Sequence, residues 1–154
     1  MWQDVINLLN RFGLMQPMEE LSVRLTGFSV AARMLTWNEG VPYINSLMLR
    51  TVGAKSGDLR DAVLFYFPDG DSWVIIGSVG GAPKHPAWVH NLRANPHAWV
   101  FVDRKRHPVE AEFLEAEDRD RMWRAAAESW PPFHQYEENA QPRRIEVIRL
   151  NPSA

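Results

Sequence analysis

The sequence predicts a mainly β domain with flanking helices, built as an antiparallel barrel or sandwich. About six short runs rich in β-branched and aromatic residues carry this prediction, and few helices lie among them. The runs are INSLMLRT (44–51), RDAVLFYF (60–67), SWVIIGSV (72–79), HAWVFVD (97–103), HPVEAEFLEA (107–116) and RRIEVIRL (143–150). Strict alternation of strands and helices is absent, which argues against a doubly wound dinucleotide fold.

Helices are predicted before the strands and between the last two of them. Apolar residues recur at helical spacing from Trp2 to Phe12, and a second helix is predicted over 18–34, ended by a break at 37–40. Residues 117–130 predict another helix, followed by a looser aromatic segment. The expected division is an N-terminal helical segment, 1–40, packed on the barrel or at an interface, and a barrel domain, 41–154. A tight hairpin turn is expected at 68–71, where Pro-Asp-Gly-Asp separates two strands.

Composition excludes several classes of protein. The 154 residues include no cysteine, so a disulfide scaffold and a thiolate metal site are ruled out. A formal net charge of −2 gives no general attraction to nucleic acid. No apolar run approaches the roughly 20 residues of a membrane span, and the first residues lack the pattern of a signal peptide. We expect a cytoplasmic protein.

The stretch TVGAKSGDLR (51–60) superficially resembles a phosphate-binding loop. A Walker A loop needs glycine where this chain has Leu49 and Ala54, and it opens a helix rather than joining two strands. A nucleotide hydrolase is therefore excluded. What remains is a glycine-bracketed turn that presents Lys55, Ser56 and Arg60. Taken alone, the loop favours a plain hairpin with solvated basic residues.

The stretch from Gly77 to Pro96 is typical of a ligand-binding connection. A strand ending at Ser78 leads through two glycines to Pro86, at a plausible first helical position, and a helix is predicted over 87–94. Small residues between a strand end and a helix start suit an anion or a flat ring. Trp88 and Asn91 are three apart and share a helix face. The alternative is an ordinary connection with a core tryptophan.

The side chains alone form no complete catalytic machine. His85 and His90 are five apart, which suits no single helix face, so no metal site is predicted. No serine lies in a nucleophile elbow and no carboxylate pair stands out. This favours chemistry carried by a bound organic cofactor. Further along, Trp130, Phe133 and Tyr136 are spaced by three and form either a face packed on the barrel or an aromatic wall over a substrate pocket.

Two motifs together resemble the deazaflavin-dependent nitroreductase family. The first, G-R-K-S-G followed by arginine, stands here as Gly53-Ala54-Lys55-Ser56-Gly57 with Arg60. The second stands as Ser78-Val79-Gly80-Gly81, then Pro86, Trp88 and Asn91-Leu92-Arg93-Ala94-Asn95-Pro96. The resemblance covers about residue 47 to the C-terminus. It implies a split β-barrel of the FMN-binding-like superfamily that uses the deazaflavin coenzyme F-420.

The resemblance also implies roles for individual residues. Lys55, Ser56 and Arg60 match positions that bind the coenzyme's phosphate and acidic tail, and Lys84 adds a further positive charge. Tyr136 and Ser78 are the implied catalytic residues, and Trp130, Phe133 and Tyr136 the implied substrate pocket. The full set of implied cofactor-binding residues is Ala54, Lys55, Ser56, Arg60, Asp61, Ala62, Val63, Leu64, Phe65, Ile76, Gly77, Ser78, Val79, Ala87, Trp88, Val89, His90 and Asn91.

The implied reaction is hydride transfer from reduced F-420 to a quinone-like, nitroaromatic or other conjugated small molecule. Two departures from the family pattern bear on it. Ala54 replaces a basic residue, and Trp130 and Phe133 replace tyrosines, which weakens a site for nitro groups.

Several alternatives stay open from the sequence. The chain could be an FMN-binding split-barrel flavoprotein, or a non-catalytic carrier of F-420 or of a lipid. It could be a monomer or a homodimer. The N-terminal helix, with Trp2, Ile6, Leu9 and Phe12, could make peripheral membrane contact, or could pack on the barrel or on a partner.

Overall fold

The computed structural model of the protein describes residues 4, 8, 11 and 13–153. The helix predicted from Trp2 to Phe12 therefore lies largely outside the described residues. Two helices follow, α1 at Met15–Thr26 and α2 at Val30–Glu39. No described helix is long and apolar enough to span a membrane.

The prediction of a single helix over 18–34 was wrong, because the chain turns between α1 and α2. Gly27 ends α1 with φ 71°, a left-handed conformation that glycine adopts without strain. Ser29 then begins α2, where its side chain accepts a hydrogen bond of 2.9 Å from the Ala32 N–H. The helix α2 continues through most of the break predicted at 37–40, and it ends only at Gly40, which caps it.

Seven strands and three further helices complete the described fold. The strands are β1 Ser46–Val52, β2 Leu59–Phe65, β3 Phe67–Asp69, β4 Ser72–Ile76, β5 His97–Val102, β6 Lys105–Phe113 and β7 Val147–Pro152. The helices are α3 Ala87–Ala94, α4 Ala116–Ser129 and α5 Pro132–Ala140, and a short 3-10 turn spans Val79–Gly81. The looser aromatic segment after α4 is thus helical as well.

The strands form one antiparallel sheet in the order β2-β1-β5-β6-β7-β4-β3. Its two edge strands, β2 and β3, are joined in the chain through Tyr66 alone. The sheet must therefore curl until its edges meet, and β2 contacts β4. The antiparallel split barrel expected from the sequence is confirmed.

The strand count is one higher than predicted, because the run 60–67 is divided. Tyr66 leaves the β2 ladder and donates its N–H to the Asn45 carbonyl, at 3.1 Å, and β3 starts at the next residue. The predicted turn is correspondingly shorter. Pro68 pairs with Trp73 inside the β3–β4 hairpin, which leaves Gly70 and Asp71 as its two-residue loop.

The sheet packs its helices around two apolar clusters. One cluster joins β4 and β7 to α4 and α5, and includes Trp123, Trp130 and Phe133. The other joins β1, β5 and β7 to α3, and includes Trp88. The connection between β4 and α3 therefore leads from a strand that contributes to both clusters to a helix that packs on the second.

An ion-pair network fixes α4 to the sheet. Arg149 on β7 donates to the carboxylates of Asp69, Asp118 and Glu112 at 2.9, 2.7 and 3.2 Å. Arg121 bridges Asp69 and Asp118 again, from α4. Three strands and one helix thereby share a single set of charges.

Candidate functional site

The β1–β2 loop, residues 53–58, is a tight turn held by its own backbone. The Gly53 N–H donates to the Asp58 carbonyl at 2.7 Å, and the Gly57 N–H donates to the Gly53 carbonyl at 2.9 Å. A Cβ placed on Gly53 would lie 2.7 Å from Ser56 Oγ and 3.1 Å from the Asp58 carbonyl oxygen, so a larger residue at this position would have to displace the Ser56 side chain. The turn leaves the side chains of Lys55 and Ser56 exposed at its tip.

Asn91 on α3 joins the two sequence motifs. Its Oδ1 accepts a hydrogen bond of 2.9 Å from the Ala54 N–H, and its Nδ2 donates to Thr51 Oγ1 at 3.0 Å. Asn91 is 6% exposed and Thr51 is 1% exposed, so the bond between them is shielded from water, whereas Ala54 is exposed and the bond from its N–H is only partly buried. The predicted helix over 87–94 is confirmed at these bounds, and Trp88 and Asn91 are both buried on it.

A cleft of about 570 Å³ lies between the loop and α3, and we call it the first cleft. Most of its lining was predicted as cofactor-binding. The lining consists of Gly53, Ala54, Lys55, Ser56, Arg60, Asp61, Ala62, Ala87, Trp88, His90 and Asn91. The first motif and the helical part of the second, which are far apart in the chain, thus form the two walls of one cavity.

The charge of the first cleft is positive. Lys55 makes no ion pair within the described part of the chain, and Arg60 has only a loose contact of 3.8 Å to Asp58. The Asp61 carboxylate is held by Arg50 through hydrogen bonds of 2.7 and 2.8 Å, which raise the pKa of that guanidinium. Because Arg50 neutralises Asp61, the cleft favours an anion.

Other predicted cofactor-binding residues lie outside this lining. Val89 is fully buried in the core beneath α3. Val63, Leu64 and Phe65 continue along β2, and Ile76, Gly77, Ser78 and Val79 follow the end of β4. The predicted strand over 72–79 stops at Ile76, where the chain enters the glycine turn. For these residues the cofactor role stays a prediction.

The turn after β4 is held by Arg143, which the sequence reasoning missed. The guanidinium donates to the carbonyls of Gly77, at 2.9 Å, Ser78, at 2.9 Å, and Ala82, at 3.0 and 2.6 Å. Arg143 lies more than 60 residues from these carbonyls in the chain, and no spacing in a single sequence signals such a contact. The loop that carries Ser78 is therefore fixed from the far end of the chain.

The same turn packs against α5 through Gly81. A Cβ on Gly81 would lie 2.8 Å from both the Cα and the carbonyl oxygen of Tyr136. This close approach brings the turn that begins at Ser78 against the helix that carries Tyr136. Neither the Ser78 hydroxyl nor the Tyr136 hydroxyl makes a hydrogen bond to another described residue; Ser78 is 8% exposed and Tyr136 is half-buried.

The three aromatic residues proposed for the substrate pocket occupy different environments. Trp130 and Phe133 are 3% and 4% exposed and belong to the core cluster. Trp130 packs edge-on against Phe65, with ring centroids 5.3 Å apart. Tyr136 is half-buried at the border of that cluster. The packed-face interpretation fits Trp130 and Phe133, and of the three rings Tyr136 is the one open to a substrate.

His85 packs edge-to-face against His90, which lines the first cleft. Their ring centroids are 5.8 Å apart. The Arg143 guanidinium lies 3.4 Å from His85 Nδ1, and burial, followed by the charge of Arg143, lowers the pKa of the His85 imidazole. Within the described ranges, no group of three or more His, Asp or Glu side chains is arranged to hold a metal ion.

A protein-family model described as F420H2-dependent quinone reductase matches residues 17–152. The chain belongs to this family. The match begins well before residue 47, from which the motifs carry the resemblance, and it crosses the boundary predicted at residue 40. The family resemblance inferred from the two motifs is confirmed.

Proteins that are similar to this chain in sequence or in structure carry related names. The F420H2-dependent quinone reductase of Mycobacterium tuberculosis is 42% identical over 86 residues, which are 54% of this chain and 58% of that one. The chain thus matches little more than half the length of this curated relative. The solved structure of the F420-H2 dependent reductase FDR-A is 34% identical, covers 69% of this chain and 93% of its own, and has a TM-score of 0.63. A domain-swapped dimer is 32% identical over 79% of this chain and 93% of its own, with a TM-score of 0.64.

Proposed function

We propose that the chain is an F-420-dependent oxidoreductase that reduces a quinone-type small molecule. The observation that carries this proposal is the first cleft, in which both family motifs meet through the Asn91–Ala54 hydrogen bond. Its positive charge and its buried tryptophan suit a ligand that combines an anionic group with a flat ring system. The family of the chain and the names of its relatives support the same cofactor and acceptor.

In this proposal the loop and α3 bind the cofactor from opposite sides. Lys55, Ser56 and Arg60 bind the phosphate, where each charge-assisted hydrogen bond contributes roughly 1.5–3 kcal/mol. Trp88 and the backbone of β2 hold the ring system. The bound cofactor supplies the hydride, and the protein supplies position and electrostatics.

In this proposal, Ser78 and Tyr136 contact the acceptor and supply its proton. Reduction of a quinone to a hydroquinone takes up one hydride and one proton and leaves a hydroxyl group at each former carbonyl oxygen, so a proton source near the acceptor is required. The packing of Gly81 on α5 brings the turn that begins at Ser78 against the helix that carries Tyr136, and neither hydroxyl group makes a hydrogen bond to another described residue. Because Trp130 and Phe133 are packed in the core and carry no hydroxyl, we propose that the site favours quinones over nitro compounds.

A titration with F-420 and, in parallel, with FMN tests the cofactor. Binding is followed by tryptophan fluorescence, since Trp88 lines the cleft. We expect tight binding of F-420 that weakens in Lys55→Ala and in Arg60→Ala. Lys105→Ala is the matched control, because Lys105 is exposed at the opposite end of β5 from α3.

Turnover completes the test. Reduced F-420 should be oxidised by a water-soluble naphthoquinone, and FMN should not replace it. Tight binding of FMN without binding of F-420 would overturn the cofactor assignment. Tight binding of F-420 with no turnover on a panel of quinones and nitroaromatic compounds would indicate a carrier instead of an enzyme.

A further inference from the structure

The turn after β4 connects the cofactor side of the proposed site to the acceptor side. At its start, a Cβ placed on Gly77 would lie 3.7 Å from the Trp88 ring, which lines the first cleft. At its end, Gly81 packs on the backbone of Tyr136. The position of this turn therefore sets how the two sides of the site lie relative to each other.

The backbone of the turn is strained at Val79. Val79, Gly80 and Gly81 have φ values of 45°, 62° and 84°, so three consecutive residues are left-handed. Glycine adopts this conformation freely, but a β-branched residue rarely does. Val79 is also 54% exposed, so packing of its side chain does not account for its conformation. Contacts made by the neighbouring backbone have to hold it.

Arg143 supplies these contacts with the whole fork of its guanidinium group. Nε and Nη2 both donate to the Ala82 carbonyl, and Nη2 also donates to the Ser78 carbonyl. Nη1 donates to the Gly77 carbonyl and faces His85 Nδ1 at 3.4 Å. Arg143 thus binds carbonyls on both sides of the left-handed residues. Lysine carries its donors on a single nitrogen atom, so it cannot reproduce this fork.

We propose that Arg143 is a positioning residue for the reaction, an inference that rests on the proposed function. It holds Val79 in the left-handed conformation, so that Ser78 keeps the place relative to the bound ring system that hydride transfer requires. A misplacement of about 1 Å can lower a rate by about a hundredfold. The loop at 53–58 is held by its own backbone, so the effect of Arg143 falls on the chemical step and not on binding of the phosphate.

Arg143→Lys tests the proposal, because it keeps the charge and removes the fork. The rate of hydride transfer is measured in a single turnover of bound, reduced F-420 with an excess of naphthoquinone, followed by the absorbance of the cofactor. We expect this rate to fall by about tenfold to a hundredfold, with little change in the dissociation constant of F-420. Arg121→Lys is the matched control, because Arg121 is an exposed arginine that binds Asp69 and Asp118 and not the turn. It should leave both quantities unchanged.

A second substitution shows whether Arg143 acts through Val79. Glycine is left-handed without strain, so Val79→Gly removes the need for support. The fold-loss of rate caused by Arg143→Lys should therefore be smaller in a Val79→Gly background than in the unaltered protein. Urea unfolding of the same four proteins measures the coupling between the two positions without any cofactor.

Chemical rescue of Arg143→Ala gives an independent measurement. Arg143 also lines a second cleft, of about 560 Å³, through which a small ion can reach the place of the missing group. Guanidinium ion at millimolar concentration should restore part of the rate, since it carries the same fork of donors. Ammonium ion at the same concentration should not, and neither ion should accelerate the unaltered protein.

The contrary outcomes are distinct from one another. A full rate in Arg143→Lys would show that a positive charge suffices and would overturn the positioning role. An equal fold-loss in both backgrounds would show that Arg143 does not act through Val79. A loss of F-420 affinity as large as the loss of rate would make Arg143 a binding residue instead. If the unaltered protein neither binds nor oxidises reduced F-420, the proposed function fails and the role in hydride transfer fails with it, whereas the unfolding measurements still decide whether Arg143 holds Val79.

Discussion

The Ala54 N–H donates a hydrogen bond of 2.9 Å to Asn91 Oδ1, and this contact joins the loop of the first motif to the helix of the second. What the site takes from residue 54 is therefore its backbone, which any residue except proline supplies. The basic side chain of the family pattern is lost at Ala54, but the geometry of the loop is not. Residual positive charge comes from Lys55 and Arg60.

Replacing Asn91 by leucine should damage both stability and binding. The Thr51 hydroxyl would lose a buried partner, which costs about 1–3 kcal/mol, and the partly buried bond from the Ala54 N–H would be lost at a smaller cost. We expect the free energy of unfolding in urea to fall by about 2–4 kcal/mol. Affinity for F-420 should fall by about tenfold or more, since the loop would no longer be held against α3.

Asn91→Asp is the matched variant that separates the two effects. Aspartate keeps an acceptor for the Ala54 N–H, and the Thr51 hydroxyl can donate to it, so most of the stability should remain. The added negative charge beside the phosphate site should still weaken binding. Equal losses of stability in the two variants, or unaltered F-420 affinity in Asn91→Asp, would contradict this role of Asn91.

Gly81→Ala should displace α5 from the turn after β4. Gly81 has φ 84°, and an added Cβ would lie 2.8 Å from backbone atoms of Tyr136, which cannot yield as a side chain can. A left-handed alanine costs about 1–2 kcal/mol, and the overlap adds about 1–3 kcal/mol more. Thermal and urea unfolding should both show this loss.

Gly80→Ala is the control for Gly81→Ala. Gly80 has φ 62°, but an added Cβ would meet nothing within 4 Å. The free energy of unfolding of this variant should therefore fall only by the cost of a left-handed alanine, about 1–2 kcal/mol. If the two alanine variants were equally stable, close packing against Tyr136 would not be what requires glycine at position 81.

Asp69 should make the protein sensitive to acid. Hydrogen bonds from Arg121 and then from Arg149 hold the pKa of its carboxyl below the ordinary value. The unfolded chain therefore binds protons first as the pH falls. The stabilisation is complete above the unfolded pKa of about 3.9 and is lost as the pH falls through the lower folded pKa.

Asp69→Asn measures this contribution. At pH 7 the variant should be less stable than the unaltered protein by about 1–2 kcal/mol, and the difference should vanish in strong acid. Asp71→Asn, in the exposed hairpin loop two residues on, should change little at either pH. A loss for Asp69→Asn that does not depend on pH would show that packing, not charge, is responsible.

The sequence predicts structure that depends on neighbouring residues better than structure that depends on contacts between distant segments. Residues 87–94 form the helix that Pro86 before it and Asn95-Pro96 after it indicate, and the loop at 53–58 follows from its glycines. Both depend on neighbours within a few residues. The division of 18–34 at Gly27 was missed because Phe28 and Val30 continue the apolar pattern across the turn.

Contacts between distant segments leave no comparable signal. Arg143 supports the turn after β4 across more than 60 residues, and in the sequence it is simply one of two arginines after a proline. Trp130 and Phe133 have the spacing of a pocket wall, and the same spacing serves a core face. Only the packing of Phe65 and Phe67 against these rings distinguishes the two.

Tyr136→Phe tests the remaining hydroxyl of the substrate side. The ring is half-buried beside Phe133, with centroids 6.0 Å apart, so phenylalanine should fill the same space and leave stability nearly unaltered. The hydroxyl makes no hydrogen bond to another described residue, so its removal should affect only the reaction with the acceptor. We expect kcat with a naphthoquinone to fall by about tenfold to a hundredfold, as for the loss of a proton donor, with no change in the dissociation constant of F-420.

Ser78→Ala gives the parallel measurement, and the double variant shows whether the two hydroxyl groups act on one proton transfer. Unaltered kcat and KM in Tyr136→Phe would remove Tyr136 from the reaction and leave Ser78 or water as the proton source.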